Sequence, residues 1–336
     1  MKRDAAGGRT MADMLKHQRP EQEQRRQGAH GGASRREAQP SRFTAFGMAA
    51  EVEPIAPGLH LVATPIGNLK DISFRALSTL AAADAILAED TRVTRVLLAH
   101  YGVTTPLLNY HEHNAAQMRP KIMARLAEGQ ALALVSDAGT PLVSDPGHKL
   151  VEEALAQGHA VTTAPGPSAV LTGLVLSGLP MDAFFFGGFL PTKQAARKHR
   201  LLELANVPGT LAFFESPQRV GDMLADAAAV LGDRPAAVAR ELTKMFENVR
   251  RGQLSELAAQ YAQEGPPRGE IVVMIGGPDR AQAAADAGAT VDDRLRALLP
   301  AHSMKEAVAL VTAQTGLPRK EVYARALLLD RPDGDG

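Results

Sequence analysis

The chain has 336 residues, 37 basic and 37 acidic, and contains no cysteine. That length accommodates two domains with separate cores. The missing cysteine excludes disulfides and thiolate metal sites and is compatible with a reducing cytoplasm. Apolar residues at 45% and charged residues at 22% are ordinary for a soluble globular protein. No apolar run approaches the ~20 residues of a membrane span, and a net charge of zero gives no electrostatic reason to expect nucleic acid.

The neutrality is an average. Residues 1–50 carry ten Lys/Arg against five acidic residues, are rich in Gln, Gly, Arg and Ala, and have no periodic apolar positions. Residues 1–57 are therefore expected to be a disordered extension, either a weak RNA-attracting tail or a dispensable one. Met48 is a candidate start, which would make the preceding 47 residues an upstream extension. From Leu59 short apolar strand patterns alternate with helical ones: LHLVAT, SFRALSTLAAA, AILAED, TRVTRVLLAHYG, PLLNYH, NAAQMRPKIMARLAEG, ALALVSD, HKLVEEALAQG, AVTTAPG and PSAVLTGLVLSG. This predicts an α/β domain with a mainly parallel sheet over 58–180. A second α/β domain with antiparallel pairing is expected over 181–278, from AFFFGGFLP, the basic segment TKQAARKHR, TLAFFES, RVGDMLADAAAVLG, AAVARELT, VRRGQLSELAAQYAQEG and EIVVMIGG. An Ala/Asp/Gly-rich linker is expected over 279–293, and two helices joined by a Gly-Leu-Pro turn over 294–330.

Ligands of open α/β sheets bind at the carboxyl ends of the strands. Three loops there are built from small residues, TPIGN (64–68), SDAGTPLVSDPG (136–147) and APGPSA (164–169), and none matches a phosphate-binding glycine motif. Such backbone can approach a flat ligand closely and read its edges with N–H and C=O groups, as a purine nucleoside would require. Asp137 is the ligand candidate of the middle loop, suited to a ribose hydroxyl or a cationic centre. Asp145, before Pro-Gly and a helix, reads as a cap. A metal site is not expected, because no third carboxylate or histidine falls at ligand spacing.

TPIGNLKDISFRAL, AEDTRVTRVLL, SDAGTPLVSDPG, APGPSAVLTGLVLSGLP, GGFLP, FFESPQR and ARELTKMFE resemble, in this order, blocks of the bacterial 16S rRNA cytidine 2′-O-ribose methyltransferases of the tetrapyrrole methylase superfamily. The resemblance runs from Leu59 to Gly277, and the terminal helices are similar to that family's helix-turn-helix tail. It implies a two-domain tetrapyrrole methylase-like fold (class III methyltransferase) with a small helical C-terminal domain, and S-adenosylmethionine bound between the α/β domains. It places Asp137, Thr140, Ser168, Ala169 and Ile66 at the cofactor, and strand order adds the backbones around Phe214, Ala239 and Ile271. The implied target is a decoding-centre cytidine in the 30S subunit, and a cytoplasmic homodimer is implied as well.

Methyl transfer to a ribose hydroxyl needs alignment and a proton acceptor or a cation beside the developing alkoxide. Candidates are Glu89, Asp90 and Arg92 of EDTR, Glu215 of FFESP, and Arg240, Glu241 and Lys244 of RELTK. Glu89, Asp90 and Arg92 read equally well as a structural ion-pair network. Lys193, Arg197, Lys198, His199 and Arg200 either hold RNA phosphates or form a solvated helix face. Tyr110, His111 and His113 are candidates for base contacts, and Lys305, Arg319, Lys320 and Arg325 add cations to the tail. Two competing functions are a carbon methyltransferase acting on a porphyrin or corrin precursor and a non-catalytic RNA-binding assembly factor. The TPIGN and EDTR loops with the basic tail speak against the first, and the intact SDAGTP and PGPSA loops against the second.

Overall fold

The computed structural model describes residues 41–144, 147–278 and 291–329. Its first element is a hairpin, β1 (Arg42–Ala45) and β2 (Met48–Glu51), paired antiparallel with Ala45 opposite Met48. Phe46 and Gly47 turn the corner at φ 52° and 76°, the two positive values of a tight hairpin turn. This corrects the expectation of disorder through residue 57. Phe43 is buried against α1 (Phe74–Ala82) and α2 (Thr91–His100), and Ala50, Val52 and Ile55 pack beside it. The Thr44 amide donates to the Tyr101 carbonyl at 2.7 Å and anchors the hairpin to the domain. Residues 1–40 lie outside the described residues.

The first domain holds a five-stranded, all-parallel sheet in the order β5-β4-β6-β3-β7. The strands are β3 (Gly58–Val62), β4 (Ala85–Ala88), β5 (Leu107–Asn109), β6 (Ala131–Val135) and β7 (Val161–Ala164). β4 and β6 are buried at every position, as apolar runs without alternation require when helices cover both faces. α1 and α2 pack Leu77, Leu80, Leu97 and Leu98 on one face, over Val62, Ile86 and Val135. α3 (Ala115–Ala127) and α4 (His148–Ala156) pack Ile122, Met123 and Leu150 on the other, over Leu59, Leu87 and Leu134. Each of these buried side chains contributes about 1.5–3 kcal/mol relative to exposure. β3 and β4 therefore feed helices on one face and β6, which lies between them, feeds the other, so a topological switch point opens at their carboxyl ends. Asp145, expected to cap α4, lies outside the described residues, and the cap position is held by Gly147 at φ 134°.

The second sheet has the order β11-β10-β12-β9-β8. β8 (Phe184–Phe189) is parallel to β9 (Thr210–Glu215); β12 (Ile271–Ile275), β10 (Pro235–Arg240) and β11 (Asn248–Gln253) pair antiparallel. α6 (Gln194–Leu204), α7 (Val220–Leu231) and α8 (Leu254–Glu264) cover one face through Leu201, Met223, Leu224 and Leu257. The other face is covered by α5 (Ala169–Ser177), a helix that belongs to the first domain by chain order. Val170 and Leu174 pack there on Ala212, Ala237, Val272 and Met274. A Cβ on Gly173 would stand 3.0 Å from the Met274 sulfur, so glycine lets the helix approach the sheet without displacing that side chain. α5 thus joins the two domains.

The tail holds α9 (Val291–Leu298), α10 (Met304–Thr315) and α11 (Arg319–Leu329) around their own core of Leu295, Val308, Val311, Val322 and Ala326. A Ser303–Glu306 capping box starts α10, and Gly316 in the left-handed region ends it. α9 corrects the expected boundary: residues 291–293, assigned to the linker, open a helix because Leu295 and Leu298 complete that core. The linker residues 279–290 lie outside the described residues.

Candidate active site

The loops after β3, β6 and β7 are tied together by hydrogen bonds. Thr64 and Gly139 exchange backbone bonds of 2.9 and 3.0 Å, and Gly139 adopts φ 83°, which a side chain would resist. The Thr140 hydroxyl donates to the Pro167 carbonyl at 3.2 Å, linking the second loop to the third. Ser168 caps α5, its Oγ accepting from the Leu171 amide at 3.4 Å.

Across from these loops stand the ends of β9 and β12. Between the two sets lies a cleft of about 420 Å³, with Ile66, Thr140, Ser168 and Ala169 on one side and Phe214, Glu215, Glu270 and Ile271 on the other. Phe214 is braced by Phe186 and Phe189, at ring-centroid distances of 4.9 and 5.6 Å. The Glu215 side chain is fully buried: Oε1 accepts from the Ser216 amide at 2.8 Å, while Oε2 has no hydrogen bond among the described residues and lies 3.3 Å from the Arg219 guanidinium. Burial raises its carboxyl pKa above the ordinary value despite the Ser216 bond and Arg219.

Six of the eight residues expected at the cofactor therefore meet in one cleft: Ile66, Thr140, Ser168, Ala169, Phe214 and Ile271. Ala239 does not, because it sits in the core beneath the cleft with 1% exposure. Asp137 does not either. Successive residues of the same loops face opposite ways, so Ile66 and Ala138 line the cleft, whereas Pro65, Gly67 and Asp137 line a second hollow of about 340 Å³. Glu270 went unseen in the sequence; its only signal is a charge placed directly before the buried run IVVMI.

The catalytic candidates separate. Asp90 is the N-cap of α2, accepting from the Arg92 amide at 2.8 Å and from the Arg92 guanidinium at 2.6 Å, and these bonds lower its pKa to about 2. Asp90 and Arg92 thus form the ion pair that was the structural alternative. Glu89 directly follows β4; burial first, then the Asp137 charge, raise its pKa. Lys244 donates to Glu241 at 2.8 Å and Glu270 at 2.9 Å, and these bonds outweigh burial in raising its pKa. Its stem crosses Gly67, where a Cβ would come within 2.5 Å of Lys244 Cγ.

The expected substrate cations also divide. Arg197 is internal: it pairs with Asp226 at 2.6 Å with both side chains 4% exposed, because its position on α6 faces α7. Lys193, Lys198 and Arg200 remain at the surface, Arg200 bonded to Glu203 at 2.6 Å. Tyr110 is buried in the core of the first domain and unable to stack on a base, and the His111 amide donates to Asn114 at the start of α3. Lys305, Arg319 and Lys320 line an open hollow on the tail together with Tyr323, while Arg325 pairs with Asp292 at 3.4 Å.

The cleft suits S-adenosylmethionine. Ile66, Phe214, Ile271 and Val272 supply apolar walls for an adenine, loop backbone supplies its edge contacts, and the exposed Glu270 carboxylate complements a cationic ligand.

Two α/β domains joined across such a cleft define a methyltransferase of the tetrapyrrole methylase type, and residues 58–258 match the family Tetrapyrrole (Corrin/Porphyrin) Methylases. Residues 284–330 match the RsmI C-terminal HTH domain. A protein of Mesorhizobium japonicum named Ribosomal RNA small subunit methyltransferase I is 51% identical over 84% of this chain and 96% of its own length. One of the same name from Xylella fastidiosa (strain Temecula1) is 49% identical over 80% of this chain and 98% of its own. The chain belongs to the ribosomal RNA small subunit methyltransferase I family and is an S-adenosylmethionine-dependent methyltransferase. Cobalt precorrin-4 methyltransferase (TM-score 0.50, 18% identity, covering 65% of this chain and 94% of that one) has a similar fold. So does diphthine synthase (0.51, 16%, covering 65% and 89%).

Proposed function

We propose that the protein methylates the 2′-hydroxyl of a decoding-centre cytidine in 16S rRNA of the 30S subunit, in the cytoplasm. The relatives' shared name supports a ribosomal RNA substrate, and the EDTR, SDAGTP and RELTK blocks support the ribose as the point of attack. One structural observation carries the reading furthest: a cofactor-sized interdomain cleft occurs in the same chain as a helical tail presenting Lys305, Arg319, Lys320 and Tyr323. Cations beside an aromatic ring suit RNA phosphates and an unstacked base. Lys193 at the N-cap of α6, the helix that α10 touches, and Lys198 and Arg200 on it extend the cationic surface. A homodimer rests on the superfamily resemblance.

S-adenosylmethionine supplies an electrophilic methyl group on a sulfonium. Ile66, Thr140, Ser168, Ala169, Phe214 and Ile271 would hold the cofactor, with the exposed Glu270 carboxylate at the rim complementing its positive charge. The Gly67–Lys244 contact keeps the two halves of the site in register. Glu89, which directly follows β4 and lies close enough to Asp137 for their charges to interact, is the candidate proton acceptor for the ribose hydroxyl.

The test is transfer of labelled methyl to purified, unmodified 30S subunits, followed by alkaline hydrolysis. Label in an alkali-resistant dinucleotide places the methyl on a 2′-oxygen. Label on a base overturns the ribose assignment, and no transfer despite intact cofactor binding redirects the search to tetrapyrrole substrates.

A further inference from the structure

The second hollow has a composition unlike the first. Pro65, Val93 and Val96 form an apolar wall, and the two valines are 45% and 68% exposed, so solvent covers a surface that favours a flat apolar ring. The three hydroxyls around it donate inward: Thr64 to the Ser136 carbonyl, Thr94 to the Asp90 carbonyl, and Ser136 to the carbonyls of Ala138 and Gly139. Asp137 remains. Its Oδ1 accepts from the Asp90 amide at 3.0 Å, which fixes the carboxylate, and Oδ2 has no hydrogen-bond partner among the described residues. The side chains lining the hollow therefore offer hydrogen-bond acceptors and no free donor.

The position is as specific as the chemistry. The hollow opens where β3, β4 and β6 end, at the switch point of the parallel sheet. Its wall toward the cofactor cleft is the backbone of the TPIGN and SDAGTP loops, whose neighbouring residues face the two cavities. A ribose lying over that wall connects one cavity with the other.

We infer that the second hollow seats the base of the target nucleotide, and that Asp137 selects cytosine by accepting its exocyclic amine. This rests on the RNA ribose reading above. Uracil presents a carbonyl oxygen at the same place, and a carboxylate repels it. Asp137 is thus a specificity residue for the substrate instead of a cofactor ligand.

The experiment compares 30S subunits reconstituted with cytidine or uridine at the methylated position, using wild type and Asp137→Asn. The amide can still accept the Asp90 N–H and can donate to uracil. Wild type is expected to favour cytidine by about 100-fold in kcat/KM, and Asp137→Asn to narrow this to about tenfold or less. Cofactor affinity, measured calorimetrically, should change less than about threefold, which also reports a folded site. Val96→Arg fills the hollow from an exposed position and should abolish RNA methylation with cofactor affinity intact. An unchanged cytidine-to-uridine ratio overturns the inference, as does loss of cofactor binding in Asp137→Asn or full activity in Val96→Arg. A wild-type product other than 2′-O-methylcytidine overturns the underlying reading and this one with it.

Discussion

Glu215 is the residue at which burial and function oppose each other most directly. Its side chain has no solvent exposure, one oxygen lacks a hydrogen bond among the described residues, and burial outweighs Arg219 in setting the direction of its pKa. A carboxyl whose folded pKa is raised stabilises the fold fully below the unfolded value, and that contribution is lost as pH rises through the folded one. Glu215→Gln keeps the acceptor for the Ser216 amide and carries no charge. It should therefore melt above wild type at pH 8, by the equivalent of about 1 kcal/mol, with the gap closing toward pH 4. A lower melting temperature for the variant at pH 8 would mean that the Arg219 pair outweighs burial. At this scale the loop motifs brought six expected residues into one cleft, whereas the charged runs did not show which of their residues turn inward. Arg197 and Lys198 are neighbours in one basic run and both reach Asp226 of α7, at 2.6 and 3.5 Å. Yet Arg197 is 4% and Lys198 43% exposed at the side chain, because helical rotation buries the first and leaves the second at the rim.

Among the elements, the RELTK loop shows how the domains hold one another. Glu241 and Thr243 adopt positive φ values of 52° and 66°, which residues other than glycine adopt only when surrounding bonds enforce them. Those bonds include Thr243 amide to Glu247 at 2.7 Å and Lys244 to Glu241 and Glu270. The loop then rests on Gly67, so Gly67→Ala should push Lys244 off its carboxylates. The expected cost is about 1–3 kcal/mol, with weakened cofactor binding, since Ile66 lines the cleft one residue away. Unchanged melting temperature and cofactor affinity would show that the loop relaxes freely. Strands and helices themselves were legible, because runs such as ALALV and AILA carry their burial on both faces. The β1–β2 hairpin was not, since only Phe43 among four β1 residues is buried and a Gln- and Arg-rich stretch precedes it.

For the whole molecule, the hairpin and the tail differ in how they attach. β1 contributes Phe43 to the core of the first domain. Removing residues 1–47 should therefore lower the melting temperature relative to removing residues 1–40, by the equivalent of about 3 kcal/mol; equal stability of the two truncations would show that β1 is dispensable. The tail keeps its own core and touches the second domain through α10 and α6.

The sequence by itself determined the α/β class, the order of the strands along the chain and the three small-residue loops. Periodicity, turn chemistry and the position of a loop after a strand are local properties, written in consecutive residues. Only the tertiary structure decided that α5 joins the domains, that Arg197 is internal and that Asp137 faces the second hollow while Ala138 faces the cleft. Those outcomes depend on which side of a backbone a residue presents to a partner distant in the chain, and neighbouring residues in an extended loop point in opposite directions.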